Sequence, residues 1–299
     1  MSTDNNPSAS RIAAFLGLPL HGSDVAITRV VPLAQLQDNC LGFARDFRPD
    51  FLEIINQHPA SLVICSPPYA GKVRASHLLV GNPRLAFLRA VQEFFYSAPP
   101  AAIHPTAVVD PTARLGREVS LGPGTVVGAG ARLGDRTRLG SNVVIAPGVV
   151  IGADCVIKSN TVIGEDGFGY ELNDLGQPER FPHIGTVVIE DNVHIGACST
   201  VEKGTIDKTL ICQNVKIDDL VQIGHNTVTG PNTLVMAGTI ICGGAVVGRN
   251  CWLAPNTTLK DGVRMGDFSQ TGLGAVVIND VPERVVVIGV PARLLRDKL

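Results

Sequence analysis

The sequence predicts a mainly β protein, in which a long solenoid of short parallel strands follows a small α/β module. An aliphatic residue stands at every sixth position from Ile103 to Ile163, and the same spacing returns from Ile189 onward. A small or β-branched residue stands two positions before nearly every member of this series. Residues 1–98 lack the repeat altogether. Self-similarity over such a length is typical of a solenoid, so we place a domain boundary near Pro99 and Pro100.

The six-residue repeat predicts how each coil is built. Residues two apart in an extended segment point to the same side, so each repeat sends one large and one small side chain inward. Three such segments would close a triangular coil of eighteen residues, stacked at about 4.8 Å on its neighbours. We expect the residues that follow the aliphatic position to form the turns, because Gly, Asn and Asp tolerate positive φ. These turn residues include Gly116, Gly122, Gly128, Asp135, Asn142, Asn160, Asn226 and Asn250.

The first 98 residues predict alternating helices and strands. Ser10 is positioned to cap a helix through Leu16, and Asn82 followed by Pro83 predicts a second helix through Phe95. Apolar runs at 25–31, 60–65 and 77–80 predict strands. The segment 41–48 interleaves aromatic and basic residues, which suits stacking on a base next to a phosphate. Packing of Phe43 and Phe47 in the core is the alternative.

The solenoid is interrupted after Ile163 by the sequence Gly-Glu-Asp-Gly-Phe-Gly-Tyr and a polar stretch that runs to Pro182. Nothing in this segment continues the inward pattern, so we expect it to leave the solenoid as a loop. Long excursions from a regular scaffold are usually functional or disordered. Its glycines favour a shaped loop that presents Phe168 and Tyr170, two candidate substrate-binding residues that could also face a neighbouring subunit.

Composition excludes several classes of protein. The net charge of −2 gives no electrostatic reason to expect nucleic-acid binding. The N-terminal residues lack an apolar run, and the stretch Val285–Val290 is far too short to span a bilayer, so we expect a cytoplasmic protein. Seven cysteines form no C-x-x-C pair. We interpret them as reduced thiols, with Cys155 and Cys251 facing inward, and keep a redox role as the alternative.

His225 is the candidate for chemistry, because the repeat places it at a corner of the solenoid rather than in the core. Counting eighteen residues back and forward predicts Asp207 and Gly243 as its neighbours on adjacent coils. Asp207 could orient the imidazole, and the glycines at 243 and 244 would leave open space above it. A histidine in this setting suits general-base catalysis, since its unperturbed pKa lies near 6.5. A solvated turn histidine is the competing interpretation.

The repeat resembles that of the hexapeptide-repeat acyltransferases, which implies a left-handed parallel β-helix with a small N-terminal α/β domain. Three blocks are similar, more specifically, to the UDP-3-O-acylglucosamine N-acyltransferases of lipid A synthesis. These blocks are GEDGFGY at 164–170, PHIGTVVIEDNVHIGAC at 182–198 and VQIGHN at 221–226. The order of a small N-terminal module and then the solenoid (residues 101–299) is similar as well.

The resemblance implies acyl transfer from a thioester donor, acyl carrier protein, to the 2-amino group of a UDP-3-O-acylglucosamine. His225 would be the base, and backbone N–H groups near Gly243 would hold the oxyanion. Phe43 would contact uracil in the N-terminal module. The family implies a homotrimer with sites between subunits, and no cofactor beyond the acyl thioester.

The chain departs from this family in three places, and other functions stay open. The register places Asp261 where a second histidine is often found, and Pro49 stands near the expected second aromatic. No helical extension follows Leu299, which leaves acyl carrier protein and coenzyme A both possible as the donor. A coenzyme A-dependent acetyltransferase of another nucleotide sugar and a non-catalytic trimeric scaffold are the alternatives. A zinc site of the γ-carbonic anhydrase type is disfavoured, because His183, His194 and His225 are not separated by multiples of eighteen.

Overall fold

A computed structural model describes residues 6–291 and 293–297. The chain divides into two compact units, Met1–Pro99 and Pro100–Leu299.

The N-terminal unit is a four-stranded parallel sheet with three α-helices. The strands, in their order across the sheet, are Arg29–Val30, Cys40–Ala44, Leu62–Cys65 and Ser76–Leu79. The helices are Ala9–Leu16, Pro49–Gln57 and Pro83–Phe94, with short 3-10 helices at Leu33–Gln35 and Pro67–Tyr69.

Local sequence signals in this unit were partly confirmed. Asn82 caps the third helix by accepting a hydrogen bond from Leu85 N, with Pro83 in the first turn, as expected. Ser8, not Ser10, caps the first helix, because the Ser10 hydroxyl instead donates to Asp24. The predicted strand at 25–31 is reduced to Arg29–Val30.

The second unit is a parallel β-helix whose coils have three faces. Face A comprises Val108–Val109, Val126–Val127, Val144–Ile145, Val162–Ile163, Thr200–Val201, Gln222–Ile223, Ile240–Ile241, Thr258–Leu259 and Val276–Val277. Face B comprises Arg114–Leu115, Arg132–Leu133, Val150–Ile151, Thr186–Ile189, Lys208–Ile211, Val228–Thr229, Val246–Val247 and Arg264–Met265. Face C comprises Ser120–Leu121, Arg138–Leu139, Val156–Ile157, His194–Ile195, Lys216–Ile217, Leu234–Val235, Trp252–Leu253, Gln270–Thr271, Val285–Ile288 and the antiparallel Arg293–Asp297.

The core of the solenoid is the predicted column of inward side chains. Val143 and Ile145 are fully buried, two positions apart, and the pattern repeats along the unit. Cys155 and Cys251 fill inward small positions, as expected for compact apolar thiols. Strands pair in parallel at a separation of eighteen residues wherever the repeat is unbroken, for example Val144 with Val162. Each coil therefore buries its aliphatic pair against the next.

Glycine follows the aliphatic positions for a structural reason other than the predicted one, which was tolerance of positive φ. The residues with positive φ lie two positions further on, as at Glu118, Arg136 and Asn142. Gly116, Gly122, Gly128 and Asp135 do not adopt positive φ, whereas Asn142, Asn160, Asn226 and Asn250 do. A Cβ on Gly116 would lie 2.6 Å from the backbone nitrogen of Asp135. Close stacking of neighbouring coils therefore requires glycine there, and the left-handed turn falls later.

Two insertions interrupt the solenoid at the same corner, between faces A and B. The first is the segment between Val162–Ile163 and Thr186–Ile189, which contains a hairpin of Tyr170–Leu172 and Pro178–Arg180. The second follows Thr200–Val201 on the next coil. It changes the pairing offset from twenty-two residues (Thr200 with Gln222) to eighteen (Leu210 with Val228). The following coil carries His225 at this corner.

Candidate active site

His225 lies in the turn between Gln222–Ile223 on face A and Val228–Thr229 on face B, and it is half-buried. Its position is the corner that the repeat predicts. The two insertions lie on the coils that precede it. The corner is therefore flanked by these irregular segments and is not fully open to solvent.

Asn226 fixes the tautomer of the His225 ring. The Asn226 side-chain oxygen accepts a hydrogen bond from the backbone N–H of Thr205 at 3.1 Å, which identifies that atom as the amide oxygen. Nδ1 of His225 lies 3.0 Å from the same oxygen, and an oxygen of this kind can only accept. Nδ1 therefore carries the hydrogen, and Nε2 of the neutral ring is a free lone pair. Asn226 is itself held by Thr209, whose hydroxyl accepts from the Asn226 backbone N–H at 2.8 Å.

The structure brings Glu202, not Asp207, to His225. Glu202 Oε2 accepts the backbone N–H of His225 at 3.1 Å. Asp207 is exposed and makes no hydrogen bond or ion pair with His225 anywhere in the part of the chain that the structure describes. The prediction for Asp207 was wrong because the insertion after Val201 adds four residues to this coil, which pushes the eighteen-residue count past the corner.

His183 is a second imidazole at the site, which the register argument missed. Its ring centroid lies 5.3 Å from that of His225, and the two planes are nearly perpendicular, at 75°. Nδ1 lies 3.2 Å from the carbonyl oxygen of Phe181, so Nδ1 of the neutral ring donates. Nε2 is buried without a hydrogen-bond partner among the described residues. His183 lies near the end of the first insertion, just before the chain re-enters the solenoid. Counting eighteen residues from His225 therefore does not reach it. The block 182–198 contains this histidine and was the only sequence signal for it.

Gly167 brings the loop onto this cluster. A Cβ on Gly167 would lie 2.6 Å from Glu202 Oε2, 2.9 Å from His225 Cδ2 and 3.2 Å from His183 Nε2. These three groups therefore surround one point, and only a residue without a side chain fits there. The loop is tied down through Asp166, which forms ion pairs with Lys203 at 2.6 Å and with Arg180. The hydrogen bond from Lys203 holds the pKa of Asp166 below its usual range, and Arg180 acts in the same direction.

Phe168 and Tyr170 lie beside this cluster on the predicted loop. Their ring centroids are 4.9 Å apart, and Phe168 is 85% exposed. Both residues line an open cleft of about 550 Å³, together with Arg180, Glu202 and Gln222. The loop thus presents aromatic side chains at the mouth of a cleft that reaches Glu202.

Gly243 packs directly against the His225 ring instead of leaving open space above it. A Cβ at this position would lie 2.6 Å from both Cε1 and Nε2 of His225. The backbone N–H of Gly243 donates to no acceptor among the described residues, while the corresponding N–H groups of Ala197 and Arg249 are bound by Asp219 and Asp267. This free donor thus belongs to the residue that packs against the Nε2 edge of the His225 ring.

Phe43 lies on the strand Cys40–Ala44 of the N-terminal unit and is half-buried, with its ring 4.8 Å from that of Phe87. It thus belongs in part to the core. Phe47 is 38% exposed and carries Lys72 Nζ at 4.1 Å from its ring centroid.

The described residues contain no group of three or more His, Cys, Asp or Glu side chains that could hold a metal ion. Across residues 6–291 and 293–297, no helix has both the length and the apolar character needed to traverse a bilayer.

Comparisons with known proteins find similarity to acyltransferases. Residues 130–165 match the family model for the bacterial transferase hexapeptide, six repeats. A UDP-3-O-acylglucosamine N-acyltransferase of Campylobacter lari is 36% identical over 138 residues, which cover 46% of this chain and 43% of the relative. One of Helicobacter hepaticus is 42% identical over 123 residues, covering 41% of this chain and 38% of the relative. The chain thus spans less than half the length of these relatives.

Solved structures share the solenoid. A UDP-N-acetylglucosamine acyltransferase of Francisella novicida matches with a TM-score of 0.59 and 28% identity, covering 65% of this chain and 69% of that one. A UDP-N-acetylglucosamine O-acyltransferase of Moraxella catarrhalis matches with a TM-score of 0.58 and 25% identity, covering 64% and 73%. The left-handed parallel β-helix predicted from the sequence is thereby confirmed. The predicted resemblance is also confirmed: the chain is similar, over somewhat less than half its length, to UDP-3-O-acylglucosamine N-acyltransferases.

Proposed function

We propose that this protein is an N-acyltransferase that uses His225 as a general base to acylate the 2-amino group of a UDP-3-O-acylglucosamine, as in lipid A biosynthesis. The observation that carries this proposal is the tautomer of His225. Asn226 holds the hydrogen on Nδ1, so Nε2 is available to take a proton at a half-buried corner lined by the loop. A positioned base of this kind contributes about 10²- to 10⁴-fold in rate.

The reaction then proceeds by addition and elimination at the thioester. The amine nitrogen forms a bond to the carbonyl carbon, and the C=O electron pair moves onto oxygen. Nε2 of His225 takes one N–H proton from the attacking nitrogen. The electron pair on oxygen then re-forms the C=O bond while the C–S bond breaks. The sulfur leaves with the electron pair of the C–S bond and receives the proton from the imidazolium. The products are an amide and a free thiol.

The Gly243 backbone N–H is our candidate for stabilising the oxyanion. Two observations support this role: the N–H has no acceptor among the described residues, and Gly243 packs against the Nε2 edge of the His225 ring. Preorganised backbone donors of this type act where charge develops in the transition state.

We further propose that Phe168 and Tyr170 contact substrate in the cleft, and that Phe43 contacts the uracil ring. The cleft beside Glu202 supports the first assignment. Partial exposure of Phe43 on the sheet of the N-terminal unit leaves part of its ring available for stacking, which supports the second.

A homotrimer is the assembly that we propose. Outward positions on face A are repeatedly apolar, and several are exposed, including Val108 at 62%, Val126 at 38% and Ile240 at 40%. Outward positions on face B include Val150, Val228 and Val246. Face B also carries basic residues at outward positions, namely Arg114, Arg132, Lys208 and Arg264. Apolar stretches on two adjacent faces suit a three-fold assembly, because each subunit can offer one face to each neighbour. We place the reaction in the cytoplasm, where acyl carrier protein and coenzyme A thioesters are made.

The test is to incubate the protein with UDP-3-O-acylglucosamine and a panel of donors, with His225→Ala alongside. The panel contains acyl carrier proteins loaded with chains of several lengths, and acetyl-coenzyme A. We expect amide formation from a long-chain acyl carrier protein, reduced by about 10²- to 10⁴-fold in the variant. Turnover with acetyl-coenzyme A alone would favour the acetyltransferase. Activity that is unchanged in His225→Ala would exclude this base.

A further inference from the structure

Glu202 holds the only carboxylate that contacts His225 among the described residues. Oε2 accepts the His225 backbone N–H at 3.1 Å, and Oε1 lies 3.3 Å from the side-chain nitrogen of Gln222. The Cβ position of Gly167 lies 2.6 Å from Glu202 Oε2 and 2.9 Å from His225 Cδ2, so Oε2 is within about 6 Å of the ring. At this separation an opposite charge favours the ionised form of its partner.

No cation of the described residues pairs with the carboxylate of Glu202. Within 6–291 and 293–297, Glu202 forms no ion pair, whereas the neighbouring Asp166 is paired with both Lys203 and Arg180. Among the described side chains, only the neutral amide of Gln222 donates to Glu202. An imidazolium formed at His225 would therefore meet an unpaired anion.

We propose that Glu202 is a positioning residue for acyl transfer: it fixes the turn that carries His225 and stabilises the imidazolium that forms when Nε2 takes the amine proton. This inference rests on the proposed function of His225. Glu202 takes the place of Asp207 as the carboxylate beside His225, while the orientation of the ring belongs to Asn226. The ring is neutral before the step and positive after it, so a nearby anion stabilises the product of proton transfer more than the reactant.

Other charged or titratable groups around His225 act differently. The His183 ring meets the His225 ring edge-on, and the carboxylate of Asp166 is already paired with Lys203 and Arg180. On the following coil, burial raises the pKa of the Cys242 thiol, with the charges of Asp261 and Glu202 adding to the effect. The charge of Glu202 thus acts two coils beyond its own, across the coil that carries His225.

Glu190 provides a matched control for the structural part of this role. Its Oε2 accepts the backbone N–H of Gln213 at 2.8 Å, from one coil to the next, as Glu202 does for His225. No imidazole contacts Glu190 among the described residues. Replacement of each glutamate by glutamine removes the charge and keeps an amide oxygen as an acceptor.

The experiment compares wild type, Glu202→Gln and Glu190→Gln in the acyl transfer assay from pH 5 to 9. For Glu202→Gln we expect kcat/KM to fall about tenfold and the midpoint of the acid limb to move to lower pH, while Glu190→Gln keeps the wild-type profile. An identical pH profile in all three proteins would overturn the proposal, even if the rate of Glu202→Gln fell.

A second measurement separates this proposal from the proposed function. The protonation midpoint of the His225 ring is followed by NMR in the same three proteins without substrate. A lower midpoint in Glu202→Gln alone supports the electrostatic role, including in a protein that shows no acyl transfer with the tested donors. An unchanged midpoint in folded Glu202→Gln refutes it, whether or not His225→Ala abolishes turnover.

Discussion

The contact between Gly243 and His225 gives the sharpest prediction for the proposed base. In Gly243→Ala, the new Cβ would lie 2.6 Å from Nε2, about 0.8 Å closer than ordinary carbon–nitrogen contact. The backbone of Gly243 does not have positive φ, so alanine introduces no left-handed strain. The ring must therefore rotate or shift by about 1 Å, and the methyl group covers the lone pair of Nε2. A misplacement of this size costs about 10²-fold, or about 2.7 kcal/mol in kcat/KM.

Stability should change little in this variant, because the atoms that must move are the end of one side chain. Gly224→Ala is the contrasting variant: its Cβ would lie 2.6 Å from the backbone nitrogen of Gly243. We expect it to lower the thermal midpoint by separating stacked coils. Gly81→Ala, which meets nothing within 4 Å, serves as the neutral control. Wild-type kcat/KM in correctly folded Gly243→Ala would refute the placement of the reaction at Nε2.

Three further predictions address the orientation, the corrected neighbour and the N-terminal unit. Asn226→Gly, which retains the positive φ of residue 226, should lower kcat/KM about tenfold by freeing Nδ1 of His225, and a rate equal to wild type would show that the tautomer does not matter. Asp207→Asn should leave kcat/KM within about twofold of wild type, because no contact joins Asp207 to the ring, and a loss above tenfold would restore the role predicted for it. Burial lowers the pKa of His77, so protonation favours the unfolded chain, and the stability contributed by the neutral ring should be lost as pH falls below about 6.5. Thermal unfolding of full-length wild type between pH 7.5 and 5.5 should show a steeper loss than His77→Leu, and equal slopes would contradict this reasoning.

The solenoid could be predicted from the sequence because its core has a fixed period. Inward residues such as Val143 and Ile145 recur with the spacing that strand geometry demands, so the pattern determined strand positions, coil size and the buried face together. Where the repeat is unbroken, pairing follows the eighteen-residue count residue by residue.

Turn chemistry was harder to predict, because glycine has two separate uses. Gly116 is required by the close approach of the next coil, and the left-handed conformation falls at Glu118, a residue with no evident preference for it. Tertiary stacking thus overrides the local preference of the residue. In the N-terminal unit the helix Pro49–Gln57 was not predicted, because the sequence analysis assigned no element to these residues.

The site could be predicted only where the eighteen-residue spacing between coils is uninterrupted. His225 and Gly243 lie on unbroken coils, and both were identified from spacing. Glu202 and His183 lie at the ends of insertions, where the count from His225 no longer applies. The structure was needed to show that both insertions leave the solenoid at one corner and close around the same imidazole.

The most direct test of the central claim is to determine which of the two His225 ring nitrogens carries the hydrogen when the imidazole is neutral. Nitrogen-15 NMR of the imidazole, assigned by comparison with His225→Ala, distinguishes the two tautomers. We expect hydrogen on Nδ1, held by Asn226, and an Nε2 without hydrogen beside Gly243. A ring with hydrogen on Nε2 would contradict it, because such a ring has no lone pair with which to take the amine proton at that position.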